Sequence, residues 1–317
     1  MEELLGAAML DRLDRLDVLS RKVFAGKLPG ERRSKQRGQS VEFDDYRPYV
    51  PGDDLRHIDW NVFARMDRFF LKLFREEQDL ALDVVLDVSG SMDAGSPSKL
   101  VFAHRVAMAL CYIGLVNQNR VSIGMFGRPG GTSLEALAPM RGRRNVARIA
   151  EFLLESLDRD QPSGASPDAA QGSDGSGFNE IMRRVALSRS GRGVLVLISD
   201  MLLREGYLPG LSYIAGVGRS AFDTTCLQVL SPDELDPALG GEALAGDLRL
   251  TDAETGRTAE VTVSAALVRR YRERLERYIG DLESACRARR IQHMVVQSDT
   301  DLDKLVLGSL RRRGLLG

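Results

Sequence analysis

The stretch LALDVVLDVSGSMDAGSPSKL, Leu80 to Leu100, decides the fold. An apolar run of strand length ends abruptly in Asp87, Ser89 and Ser91. Alternate residues of an extended chain share a side, so three oxygen-bearing side chains leave the strand tip together. Small polar groups at such a place can cap the next helix or shape a turn. They can also hold a hard cation.

Outward from this point the pattern alternates. A helix is predicted over about 98–117, with Pro97 at its first position and Ser96 as its cap. A strand follows at Arg120–Phe126, then an edge strand near 134–137 and a helix over 145–157. Residues 158–177 are rich in Gly, Ser, Pro and Asp and read as a flexible loop. A helix over 178–189 leads to Gly193–Ser199, uniformly apolar as a strand buried on both faces should be. Further on come a helix over 205–217, a strand at Thr224–Leu230, a hairpin over 248–263, a long charged helix over 265–290, a strand at Ile291–Gln297 and a helix over 301–313. Strands alternating with helices predict an α/β fold with a doubly wound, mainly parallel sheet.

Upstream, Leu5, Met9, Leu13, Leu16 and Leu19 recur at helical spacing, which predicts an amphipathic helix over 4–24 packed on the rest of the chain. A basic connector marked by Gly and Pro follows. Residues 41–75 mix aromatics, turns and charge, with a strand at Phe69–Phe74 and a turn at Pro51-Gly52-Asp53. The expected organisation is an N-terminal helix and β-containing extension over 1–78, then the main α/β domain over 79–317.

The net charge of −1 over 317 residues gives no electrostatic reason to expect nucleic acid or an anionic membrane as partner. Cys111, Cys226 and Cys286 are far apart and show no metal-binding spacing, so a reducing, cytoplasmic setting is expected. The charged start is unlike a signal peptide, and no run of 18 apolar residues suggests a membrane span.

In a doubly wound sheet, ligands bind beyond the carboxyl ends of the strands, where the strand order switches. Asp87-Val88-Ser89-Gly90-Ser91 ends one core strand and Ser199-Asp200 ends another. If these strands are neighbours, two carboxylates and several hydroxyls share a crevice. Such a hard-oxygen set suits Mg²⁺, with Mn²⁺ or Ca²⁺ as substitutes. With so few direct carboxylates the ion would seek another anionic oxygen, which an acidic side chain of a partner protein can supply.

Asp87-x-Ser89-x-Ser91 with a later strand-end Asp resembles the metal-ion-dependent adhesion site of von Willebrand factor A domains. Glu42-Phe43, Arg47-Pro48-Tyr49, Pro51-Gly52-Asp53-Asp54, Arg56-His57-Ile58-Asp59-Trp60 and Ala64-Arg65, with the late hairpin at 248–263, resemble the bacterial "domain of unknown function 58" family. The resemblance runs from about residue 35 to 313. It implies a von Willebrand factor A-like, Rossmann-type domain and a metal site at Asp87, Ser89, Ser91 and Asp200. It also implies a partnership with a MoxR-type AAA+ ATPase in complex assembly or maturation. Many members carry two N-terminal membrane helices; none is seen here, which implies a soluble member. The adhesion-site pattern also calls for a loop Thr, and the segment before the helix at 178 has none. Ser176 is the substitute, with Ser173 next.

The expected role is a protein-interaction module, not an enzyme. A Ser–His–Asp hydrolase would need a base within hydrogen-bond reach of its serine, and His57 and Asp59, which flank Ile58, are not placed to serve Ser89; no GxSxG nucleophile elbow is present either. A metal-dependent phosphoesterase using the same oxygens, or a scaffold whose carboxylates are purely structural, are the alternatives. His57, His104 and His293 are expected to be structural, His104 as a satisfied core residue. Arg56 and Asp59 are expected to form internal ion pairs, and Trp60 to fill a core gap.

Overall fold

In the computed structural model, Phe43–Pro48 (β1) and Phe70–Phe74 (β2) pair antiparallel. The described residues are 4–20, 43–50, 55, 58–74, 80–128, 134–159, 177–189, 192–203, 205–216, 221–237, 246–251 and 258–317. The chain divides into two compact units, 28–78 and 1–27 with 79–317. The first helix, expected as part of the extension, is thus grouped with the larger unit.

In the smaller unit, Asp59 caps the helix Trp60–Met66, accepting the N–H groups of Asn61 and Val62. Its other oxygen accepts the Tyr46 hydroxyl at 2.8 Å. Phe63 stacks on Phe69 with centroids 4.4 Å apart, and Trp60 stands edge-on to both. Trp60 is 60% exposed, so it does not fill a core gap as expected. Arg56, His57 and the turn at Pro51-Gly52-Asp53 lie outside the described residues.

The larger unit is built on six strands. They are Leu80–Asp87 (β3), Arg120–Phe126 (β4), Glu135–Met140 (β5), Arg192–Ser199 (β6), Ala221–Leu230 (β7) and, after a separate hairpin of Gly246–Thr251 (β8) and Thr258–Val263 (β9), Gln292–Gln297 (β10). Their order is β10-β7-β6-β3-β4-β5, parallel throughout except for the antiparallel edge strand β5. The expected doubly wound α/β fold is present.

Alternation along the central strands feeds two cores. Leu82, Val84, Leu86, Val194, Val196 and Ile198 face one, with the helices Lys99–Val116 and Val146–Arg159. Ala81, Val85, Leu195 and Leu197 face the other, with the helices Phe178–Ser188, Leu208–Ala215 and Ala265–Ala288. The helix Lys99–Val116 is long and apolar enough to cross a membrane, yet 83% of it is buried inside the unit, the pattern of a core helix.

Three helix ends differ from expectation. The first helix covers only Ala7–Leu13. Beyond it, Leu16 and Val18 still reach the core, but Val18 bridges to Leu316 and the Leu19 N–H bonds the Leu315 carbonyl. Pairing with the C-terminal segment takes up backbone groups that a longer helix would have used. The helix expected over 205–217 is confined to Leu208–Ala215. The long apolar helix starts at Lys99 and is capped by Ser98, whose hydroxyl accepts the Val101 N–H; Ser96 is not its cap, nor Pro97 its first residue.

Candidate functional site

β3 and β6 are adjacent and in register, Leu86 opposite Ile198, so their carboxyl ends meet where the sheet order turns. This brings Asp87 beside Ser199 and Asp200. All three are buried. The Ser199 hydroxyl donates to Asp87 Oδ2 at 2.6 Å, and the Ser89 N–H donates to Asp87 Oδ1 at 3.0 Å. The Met201 N–H in turn donates to the Ser199 Oγ. The hydroxyls of Ser89 and Ser91 lie 3.1 Å apart and are half-buried. Asp87, Ser89 and Ser91 therefore converge as expected from their spacing.

Gly127 closes one side of this group. It has φ +87°, and a Cβ there would sit 2.9 Å from Asp87 Oδ1 and 3.1 Å from Ser89 Cβ. Only glycine combines that backbone with that proximity.

Burial pushes the Asp87 carboxyl up to about 6, and the negative charge of Asp200 pushes the same way; the bonds from Ser199 and Ser89 pull it down. A carboxylate placed so gains from any nearby positive charge.

Asp200 is engaged differently. Its Oδ2 accepts from Lys99 Nζ at 3.0 Å, and both side chains are buried, 0% and 1% exposed. Its Oδ1 accepts the Leu202 N–H at 3.0 Å. Lys99 also bonds Glu234, which belongs to a capping box with Ser231 just after β7. From the other side, His293 bonds Gln228 at 3.1 Å, and the Gln228 amide donates to the Asp200 carbonyl at 3.0 Å. Both carboxylate oxygens of Asp200 thus have protein donors, and one donor is a cation. Lys99, Glu234 and Gln228 shape the site without having been singled out from the sequence, and Ser199 was read there only as a strand end. The one local signal was a lysine opening an otherwise apolar helix.

Ser176 and Ser173 lie outside the described residues. Among the described residues, no three carboxylate, imidazole or thiol groups cluster around a point. The donor set at Asp87, Ser89 and Ser91, one carboxylate and two hydroxyls, fits a hard cation; Asp200 Oδ2, committed to Lys99, does not fit as a direct ligand. His104 is buried as expected, with Nδ1 against the Leu100 carbonyl at 2.8 Å, but its Nε2 has no hydrogen-bond partner among the described residues.

Comparison with known families gives a match to the protein of unknown function DUF58 over residues 45–278. The chain belongs to the DUF58 family. Relatives of this DUF58 chain include the uncharacterised proteins Rv1480 of Mycobacterium tuberculosis and Mb1516 of Mycobacterium bovis. Each is 25% identical over 306 residues, covering 95% of this chain and 89% of the relative. Among solved structures, BatB of Bacteroides thetaiotaomicron overlaps 74% of this chain and 98% of its own, at 16% identity and TM-score 0.41. An aerotolerance-related membrane protein of Bacteroides fragilis overlaps 74% and 97%, at 14% and 0.39. A von Willebrand factor type A protein of Catenulispora acidiphila overlaps 62% and 42%, at 14% and 0.33. The fold class of the DUF58 chain rests on its own sheet order.

Proposed function

We propose that this DUF58 chain is a protein-interaction module that captures an acidic side chain of a partner through a divalent cation, Mg²⁺ by preference. The observation that carries this reading is the convergence at the end of β3. Ser199 and the Ser89 N–H hold Asp87 in place, and the Ser89 and Ser91 hydroxyls stand beside it at the half-buried mouth of the crevice. Asp87, Ser89 and Ser91 would hold the ion. When bound, it would supply an electrophilic point for a carboxylate from outside. Asp200 would act as a charge near the site, held in place by Lys99 and the Leu202 N–H. Ser176 would supply the loop hydroxyl. The family resemblance points to a MoxR-type AAA+ ATPase as the partner machinery, working in complex assembly or maturation. The buried free thiols of Cys111, Cys226 and Cys286 suit a reducing, cytoplasmic setting.

Calorimetric titration with MgCl₂, followed by capture of a purified MoxR-type ATPase with and without a chelator, tests the reading. The expected result is one Mg²⁺ per chain, a rise in Tm with Mg²⁺, and capture lost in both chelator and Asp87→Ala. Capture unchanged by either treatment removes the metal from the mechanism. Lys99 favours a second reading, a scaffold whose buried carboxylates are neutralised internally; absence of Mg²⁺ heat with intact capture selects it.

A further inference from the structure

At the opposite end of the strands, by the amino ends of β7 and β10, lies a cavity of about 690 Å³. Arg287, Arg290, Arg312 and Arg313 line it, and Asp223 is the one carboxylate among its lining residues. These arginines come from two different elements: the end of the helix Ala265–Ala288 and the end of the last helix, residues 302–312. Arginine at a helix C-terminus complements the dipole, which accounts for each pair on its own helix. It does not account for two helices delivering their pairs to one concavity.

The two helix ends are built alike. After the first, the Ile291 N–H bonds the Cys286 carbonyl and the Arg290 N–H bonds the Arg287 carbonyl. After the second, the Leu315 N–H bonds the Leu310 carbonyl and the Gly314 N–H bonds the Arg311 carbonyl. Both are Schellman ends, which need a left-handed residue. Gly314 fills that place at φ +73°, without a steric cost. Arg290 fills it at φ +57°, where a side chain is disfavoured. The same bonds occupy carbonyls that would otherwise repel an anion. Among the described residues, the Arg290 side chain makes no hydrogen bond or ion pair. The Arg287 pair with Glu283, at 2.7 Å, is exposed and weak. Asp223, the one carboxylate lining the cavity, accepts the Ser20 hydroxyl at 2.7 Å. Arg313 is oriented by the His293 carbonyl, and Arg312 by Ser309.

We infer that this cavity is a binding site for a small polyphosphorylated anion. The volume lies within the range of small-molecule sites, although the concavity is broadly open. Guanidinium forks match phosphate oxygens two at a time, and four of them exceed the needs of a single carboxylate. The site stands at the amino ends of the strands, Asp87 at their carboxyl ends, and it does not depend on the metal reading.

Tripolyphosphate is the probe, with tetraglutamate as a carboxylate control, both titrated calorimetrically into the full chain at 0.15 M salt. One tripolyphosphate per chain is expected, bound at least tenfold more tightly than tetraglutamate. Arg290→Gly is expected to weaken it at least tenfold while raising Tm, because glycine suits that backbone and the fold is retained. Arg313→Ala gives a second, independent loss. No tripolyphosphate binding, equal binding of tetraglutamate, or full affinity in Arg290→Gly overturns the inference.

Discussion

The Lys99 side chain is fully buried, between Asp200 and Glu234. An ammonium removed from solvent is tolerated only where carboxylates answer it, and removing one partner strands the other. Lys99→Met is therefore expected to lower unfolding free energy by about 3–5 kcal/mol in urea titration. The double variant Lys99→Met with Asp200→Asn should recover most of that loss; a fully additive pair would show that the two side chains are not coupled. His104 gives a second residue-scale prediction. Burial lowers its imidazole to about 4; the Leu100 carbonyl opposes this and the positive charge of Arg128 adds to it. Between its ordinary value and 4 the unfolded chain takes up a proton that the folded chain refuses. Stability is thus full above the ordinary value and is lost as pH falls through that window, by up to about 3 kcal/mol. Unfolding free energy against pH should be flatter over that window in His104→Leu than in the parent; equal slopes would refute the assignment. Asp87, Ser89 and Ser91 were legible because their spacing is local. Lys99 was not, because a lysine at a helix start ordinarily faces water, and its partners lie 101 and 135 positions away.

Element types and order followed from periodicity, because apolar spacing directly reports which face is buried. Element ends were less legible, since they depend on single hydrogen bonds. The helix Lys99–Val116 illustrates this: four serines, Ser89, Ser91, Ser96 and Ser98, lie between β3 and its start, and the bond to the Val101 N–H picks out Ser98. Ser98→Ala should cost about 1 kcal/mol of stability, whereas Ser96→Ala should leave the helix cap intact. Thermal unfolding of the two variants distinguishes them, and the reverse ranking would restore the cap expected from sequence. The first helix shows the other limit of local reading. Its apolar spacing continues through Leu16 and Leu19, yet the backbone there turns to pair with the chain's last residues. Nothing within 4–24 records that competitor.

At the scale of the whole molecule, the alternation of strands and helices was enough to specify a doubly wound sheet, and uniformly apolar runs such as Gly193–Ser199 marked the strands buried on both faces. The cavity at the amino ends of β7 and β10 was not visible in the same way, because its four arginines are drawn from two helix ends that only the finished fold makes neighbours. The central strands have a further consequence. β3 pairs with β6, and Ser199 reaches Asp87 across 112 positions. A chain emerging from the ribosome exposes its acidic strand tip long before the serine that steadies it has been synthesised. Until β6 is released, that segment is an unmatched sheet edge with an unsupported carboxylate, exposed to chaperones and to misassociation. The proposed cation binding would therefore be acquired late, and would report that biosynthesis has passed the midpoint of the fold.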